Sequence, residues 1–424
     1  MNYIGRLVKG LLILSVICVF FSSCKKDKDE YTANDELYLI MKHYYYWYNH
    51  VPDLNPDHYK DPFGLMNACV YHDVDRWSSV MYYDEYEQYF KAGQSEGYGA
   101  KFFLGGDGHI YVGYLYEDSP FYGFGIRRGW RLKSINEQEV TSSNFTDLIN
   151  QASIQVTFSG VSGNDTTFST DAKAVDMNTV LFHKVINNGG KKIGYLVLES
   201  FIDKTDDELD QVFALFGEEN IDELILDLRY NGGGNLDEAI YLASSLAPDI
   251  TQGEPFVKIQ FNSKNSDLNE VEQFISSGHD LGLERIVVIA SSSTASASEM
   301  IINGMKPYMD VTIIGDSTHG KPVGMNIIPY EEYAFVPVTF KYVNADNKGD
   351  FYEGIPANYY TDDEFYKTWG DSTENSLQAA LEFIETGQVS SQKASKIMLR
   401  KNLTPTPFQP SAIKENNWKQ NESY

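Results

Sequence analysis

Cysteine is scarce in this chain: Cys18, Cys24 and Cys69 are the only three among 424 residues. Thiols so few and so spaced build neither a disulfide framework nor a metal site, so the fold must be held by its core. Basic residues are also outnumbered, with 34 Lys and Arg against 60 Asp and Glu, for a net charge of −26. A surface this acidic repels phosphate backbones and excludes nucleic acid as a partner, while serving well as a solvated exterior. The apolar run from Leu11 to Phe21, interrupted by Ser15, falls short of the about 20 residues that span a bilayer. Long-period repeats, heptads and low-complexity tracts are missing. What is present is a 42% hydrophobic content, enough for a sizeable core divided among two or three domains.

The apolar run follows Arg6 and Lys9 and ends at Ser22-Ser23-Cys24, which is the layout of an export signal. It resembles a bacterial lipoprotein signal, and the resemblance implies that Cys24 is the lipidated first residue of the mature chain. An ordinary signal with Cys24 incidental is the other reading. Lys25 to Glu30 is wholly charged and reads as a flexible tether. It is also similar to the acidic post-cysteine stretches of surface lipoproteins in the Bacteroides group. The expected location is the bacterial cell envelope, as an outer-membrane lipoprotein facing the periplasm or the cell surface. Cys69 reads as a buried small hydrophobe rather than a nucleophile.

Composition and periodicity divide the chain into a signal (1–23), a tether (24–35), a small helical domain (36–92), a mostly β module (93–174), an α/β core (175–386) and a polar tail (387–424). The helical domain rests on Leu37, Ile40, Met41, Tyr44 and Tyr48 at helical spacing, broken by Pro52, Pro56 and Pro62. The β module rests on short runs such as Ile110 to Val112 and Ile154 to Phe158 between glycine-rich turns. In the core, apolar strands at Leu196–Leu198, Leu224–Leu228 and Ile286–Ala290 each precede a helix, near Asp206–Phe216, Leu236–Leu246 and Ala297–Met305.

Within the β module, Ser119-Pro120, Gly125 to Leu132 and Lys133-Ser134-Ile135-Asn136 resemble the corresponding stretch of a PDZ domain. Trp130 stands where Asp is usual, and Glu137 where the turn glycine is usual. The resemblance implies that Gly97, Tyr98, Gly99 and Ala100 form a loop receiving a peptide carboxylate, beside a strand edge open to an added strand. A closed β spacer without a groove is the alternative.

Three segments of the core carry chemistry. Ser293-Thr294-Ala295-Ser296-Ala297-Ser298-Glu299 lies between a buried strand and a helix. Ser296-x-x-Glu299 is a capping box, and the same geometry suits a nucleophile because free amides at a helix start attract an anion. Gly315 to Pro322 follows the strand Val311–Ile314 and carries Lys321 between Gly320 and Pro322. Pro322 keeps Lys321 extended, and desolvation there would lower its pKa toward a usable base. A solvated surface lysine is the plain alternative. Asp227-Leu228-Arg229-Tyr230-Asn231-Gly232-Gly233-Gly234 runs a strand into three glycines. It lacks the Lys-Ser of a P-loop and the dinucleotide spacing, so a tight turn or close backbone approach to a reacting group remains.

Together these segments resemble the carboxyl-terminal-processing (tail-specific) serine peptidases over roughly Gly93 to Thr386. In that family the base is a lysine 25 positions after the serine, as Lys321 is after Ser296. Asp75-Arg76-Trp77-Ser78 resembles, more loosely, the leader domain of Bacteroides-group members. The resemblance implies a multidomain α/β protein with a crotonase/ClpP-like protease core, a protein or peptide substrate, a lipid anchor in the membrane and no cofactor or metal. It also implies Ser296 as nucleophile, Lys321 as base, and an oxyanion hole from Ala297 with Gly233 or Gly234. Many members carry glutamine four residues after the lysine, where this chain has Met325, with Asn326 or Tyr330 as substitutes. His319, with Asp227 or Asp316, offers a competing triad. A non-catalytic peptide- or hydrophobic-ligand-binding lipoprotein on the same fold is the competing function.

Overall fold

The computed structural model describes residues 31–247, 251–279 and 281–390 and the backbone of Pro407 and Phe408. Helix α1 (Ala33–His43) begins inside the stretch expected to be tether. The cause is local: the Thr32 hydroxyl accepts the Asp35 N–H at 3.2 Å while the Asp35 carboxylate takes the Thr32 N–H at 3.1 Å. Leu37, Ile40 and Met41 share one core with Leu65 and Cys69 of α2 (Pro62–Cys69). Burial pushes the Cys69 thiol up to about 12, which leaves it inert. Strand β1 (Ser79–Tyr82) leaves this helical region. Asp75, just before it, is buried and accepts from Tyr45, Trp77 and Ser78, so the Asp75–Ser78 stretch is structural.

The β module is an antiparallel meander of β2 (Ala100–Leu104), β3 (Ile110–Leu115), β4 (Arg131–Ile135), β5 (Ser153–Ser159) and β6 (Asp165–Asp171). In β5, Ile154, Val156 and Phe158 are buried and the residues between them are not, the two-residue period of a half-covered strand. Asn136 and Glu137 both have positive φ, 49° and 64°, in the tight turn that folds β4 back on Gln138–Glu139. Glu137 therefore occupies a conformation that glycine adopts without strain. Pro407 and Phe408 pair antiparallel with Phe103 and Phe102 on the outer edge of β2.

The core contains β7 (Val180–Asn188), β8 (Lys191–Leu198), α3 (Thr205–Glu219), β9 (Glu223–Asp227), α4 (Leu236–Leu246), β10 (Pro255–Phe261), β11 (Glu270–Gln273), β12 (Arg285–Ala290), α5 (Ala297–Met305) and β13 (Asp310–Gly315). After them come β14 (Val323–Met325), β15 (Ile328–Tyr330), β16 (Tyr333–Val336), β17 (Val338–Val343), β18 (Tyr359–Tyr360) and α6 (Asn375–Thr386). Among the described residues the main sheet runs β7-β8-β9-β12-β13-β18, parallel from β8 onward. Both faces of this sheet are covered, which is why β9 and β12 read as unbroken apolar runs. Leu224, Leu226 and Val288 join a core with Val212, Ile240 and Ile301 from α3, α4 and α5, whereas Ile225 and Val287 join Leu377 and Ile384 of α6 on the other face. A smaller antiparallel sheet, β11-β10-β17-β14, stands beside it. Strand β1 pairs antiparallel with β16, Ser79 opposite Val336, and so fastens the helical region to the core. No helix among the described residues is long and apolar enough to cross a membrane.

Candidate active site

Strands β9, β12 and β13 are consecutive neighbours in a parallel sheet, so the loops leaving their carboxyl ends must converge. Those loops are the glycine segment, the serine turn and the lysine segment. The sheet order therefore brings together residues about 25 to 90 positions apart in sequence.

Ser296 stands at the start of α5 with φ 55° and ψ −115°, a region that residues with a Cβ avoid. Such strain persists only where the surroundings impose it, and it concentrates at functional sites. Here the imposing group is Glu299, whose Oε2 accepts the Ser296 N–H at 3.0 Å. The same oxygen accepts the Lys321 N–H at 2.8 Å, while Oε1 accepts from Gly320 N at 2.7 Å and the Thr318 hydroxyl at 2.5 Å. Glu299 is fully buried, and burial raises its pKa against those hydrogen bonds. One carboxylate thus joins the serine turn to the lysine loop.

The glycine loop is joined to the serine turn by Asn231. Its carbonyl accepts the Ala295 N–H and the Ser298 hydroxyl, both at 3.1 Å, and its side chain donates to Leu198 O at 3.2 Å. Its Oδ1 takes the Gly233 N–H at 2.8 Å, so Gly233 is corrected as an oxyanion donor: its amide hydrogen is already spent. What Gly233 supplies is clearance, since a Cβ there would lie 2.8 Å from Ser296 Cβ and 3.0 Å from Ala297 N. Gly234 would meet Phe201 O at 1.9 Å. Gly232 and Gly234 line the cavity described next; Gly233 does not.

Ser296, Ala297, Gly234 and Lys321 border one cavity of about 180 Å³. Apart from Asn235 and Tyr342 the rest of its wall is largely apolar: Met81, Tyr86 and Phe90 come from the N-terminal region, and Met300, Met325 and Phe340 from the core. Lys321 is 5% exposed. Neither Asn326 nor Tyr330 reaches the cavity wall, so neither replaces a glutamine there. Tyr342 does reach it, with its hydroxyl 3.0 Å from Ser296 O and 2.9 Å from Lys321 O.

His319 is not on the wall. Its Nε2 accepts the Trp77 Nε1–H at 3.2 Å. Burial, then the charges of Arg76 and Lys321, lower its pKa to about 4. A neutral imidazole that stands off the cavity wall with its Nε2 accepting from Trp77 is no base for Ser296. Asp227, its suggested partner, is instead buried against Arg229 at 2.8 Å. Arg229 also binds Asp363 at 2.9 Å and Glu374 at 3.0 Å. The Asp-Leu-Arg part of the motif thus anchors the glycine loop from below. Arg128 of the β module joins this network through Asp363 at 2.9 Å and Tyr230 at 2.8 Å.

Gly97, Tyr98 and Gly99 lead directly into β2, which begins at Ala100. Gly99 has φ +58° and packs against Val175, Tyr98 donates to Gln151 O at 2.6 Å, and Ala100 pairs with Leu115. Cys24 lies outside the described residues. Among the described residues no cluster of three or more His, Cys, Asp or Glu is arranged to hold a metal ion. The roles of Asn231 and Tyr342 are not evident in the sequence, where Glu299 reads only as half of a capping box. Asn231 does stand within the glycine segment; Tyr342 has no such signal.

A serine held in a strained turn at a helix start, against a glycine loop and a buried lysine, is the architecture of a serine peptidase. Comparison with known proteins narrows the class. The models of peptidase family S41 and of the peptidase S41 N-terminal domain match residues 192–361 and 32–79, together just over half of the chain. A CtpA-like serine protease of Staphylococcus epidermidis is 23% identical over 352 residues, covering 80% of this chain and 69% of its own length. The crystal structure of an S41 protease from Bacteroides fragilis has the same fold, with a TM-score of 0.70, 24% identity, and coverage of 84% of this chain and 98% of that one. The chain belongs to peptidase family S41, the C-terminal-processing serine peptidases.

Proposed function

We propose that this peptidase is an extracytoplasmic endopeptidase acting through a Ser296/Lys321 dyad. The observation that carries the reading is that strained Ser296 and buried Lys321 border the same apolar cavity. Ser296 Oγ attacks the scissile carbonyl carbon while Lys321 Nζ, in its neutral form, takes the hydroxyl proton. The ammonium then delivers that proton to the leaving amine, and water hydrolyses the resulting Ser296 ester. The oxyanion is held by the N–H of Ala297 and that of Gly234, the pair member on the cavity wall. A cavity of about 180 Å³ matches an apolar side chain up to phenylalanine size, since one of about 150 Å³ accepts benzene. Gly97 to Ala100 and the edge of β2 receive the carboxyl end of the substrate as an added strand, in the manner of a PDZ domain, in place of the Pro407–Phe408 segment that pairs with Phe103 and Phe102 there. Cys24 carries the lipid anchor that holds the enzyme in the cell envelope.

The test is hydrolysis of unstructured peptides by the full chain, with free and amidated carboxyl termini. Cleavage lost in Ser296→Ala and weakened by amidation is expected. Binding without cleavage would favour a non-catalytic lipoprotein, the reading for which Met325 speaks.

A further inference from the structure

We infer that Tyr342 is the positioning residue that couples nucleophile and base in this chain, in the place where a side chain at 325 would otherwise act. The inference rests on the Ser296/Lys321 reading. Tyr342 sits on β17, a strand that belongs to neither the serine turn nor the lysine loop, and its side chain is 1% exposed. Its single hydroxyl hydrogen is shared between Ser296 O at 3.0 Å and Lys321 O at 2.9 Å. Burial and then the Glu299 charge hold the phenol well above its ordinary pKa, so it remains a donor throughout the working range.

The geometry gives that hydrogen two tasks. At Ser296 it fixes the peptide that follows a φ of 55°, whose carbonyl also accepts Met300 N at 2.8 Å. At Lys321 it completes the hold on the backbone: Glu299 takes the N–H, Tyr342 the carbonyl, and Pro322 restricts the backbone conformation. Met325, on the cavity wall four residues after Lys321, has only a thioether, a weak acceptor that donates nothing. Loss of the Tyr342 hydroxyl would take one hydrogen bond from each carbonyl, leaving that of Ser296 to its bond from Met300 N and loosening the link between the two segments, and a shift of about 1 Å between reacting groups costs roughly a hundredfold in rate.

The experiment compares Tyr342→Phe with Thr339→Val in the full chain. Thr339 is a buried hydroxyl on the same strand that accepts Asn326 N at 3.1 Å and does not border the cavity. Tyr342→Phe is expected to lower kcat about 10- to 100-fold, with KM within about twofold, the unfolding midpoint little changed, and fluorophosphonate labelling slowed in proportion to kcat. Thr339→Val is expected to lose stability without losing kcat. Equal loss of kcat in both, full kcat in Tyr342→Phe, or failure of Tyr342→Phe to fold would each overturn the inference. Ser296→Ala and Lys321→Ala run alongside: activity surviving in either removes the dyad itself and the coupling with it. Two inactive controls beside a fully active Tyr342→Phe would remove only the coupling.

Discussion

Glu299 Oε2 lies 2.8 Å from the backbone nitrogen of Lys321 and accepts its hydrogen, with the Ser296 N–H on the same oxygen at 3.0 Å. A residue that reads as half of a helix cap therefore sets the position of the lysine loop. Glutamine at 299 has one acceptor oxygen and two surplus hydrogens for a site filled by four donors. Each buried donor left unpaired costs about 1–3 kcal/mol. Glu299→Gln is expected to lose at least about 2 kcal/mol in a denaturant titration and to lose peptidase activity with it.

Clearance at Gly233 makes a second prediction. Its φ is +100°, and an added methyl would sit 2.8 Å from Ser296 Cβ. Gly233→Ala is expected to lower kcat by about a hundredfold through displacement of the serine turn. Gly217 of α3 has nothing within 4 Å of its own Cβ position. Gly217→Ala is expected to keep kcat and gain about 1 kcal/mol from helix propensity. Steady-state kinetics and unfolding of the two variants separate the effects.

For His319 the expectation is structural. Its folded pKa of about 4 lies below the ordinary 6.5, so its neutral form contributes stability that is present above pH 6.5 and lost as pH falls toward 4. His319→Ala strands the Trp77 N–H and is expected to cost about 1–3 kcal/mol at neutral pH. The variant should flatten that limb of the stability profile yet remain open to fluorophosphonate.

Glu238, in the first turn of α4, has one buried carboxylate oxygen without a partner. Burial, then the charges of Asp206, Asp203 and Asp237, push its pKa from 4.5 to about 8. Between those values the folded chain holds a proton that the unfolded chain has released, so the group costs stability as pH rises. Glu238→Gln is expected to unfold at the wild-type temperature near about pH 4 and a few degrees higher above about pH 8. Thermal unfolding across that range checks it.

The strand and helix alternation of the core was legible because the central strands are covered on both faces, leaving apolar runs such as Leu224 to Leu226, while a helix between them such as α3 buries one face. Ser296 and Lys321 were legible through their spacing and the glycine loop. The start of α1 was misjudged because charged residues around Thr32 disguise a reciprocal cap. The spent amide of Gly233 depends on which way the Asn231 side chain turns. Tyr342 is one of 30 tyrosines in the chain, in a strand whose partner loops lie elsewhere in sequence. The cavity's outer wall comes from Met81, Tyr86 and Phe90, more than 200 residues before Ser296, by way of the β1–β16 pairing. Such contacts are set by tertiary structure and leave no local trace.

The central claim, that Lys321 activates Ser296, is tested most directly by treating the full chain with a fluorophosphonate and mapping the adduct by mass spectrometry. The adduct is expected on Ser296 alone, to vanish in Lys321→Ala, and to persist in His319→Ala. An adduct that forms in Lys321→Ala at the wild-type rate, or one that vanishes in His319→Ala, would contradict the dyad.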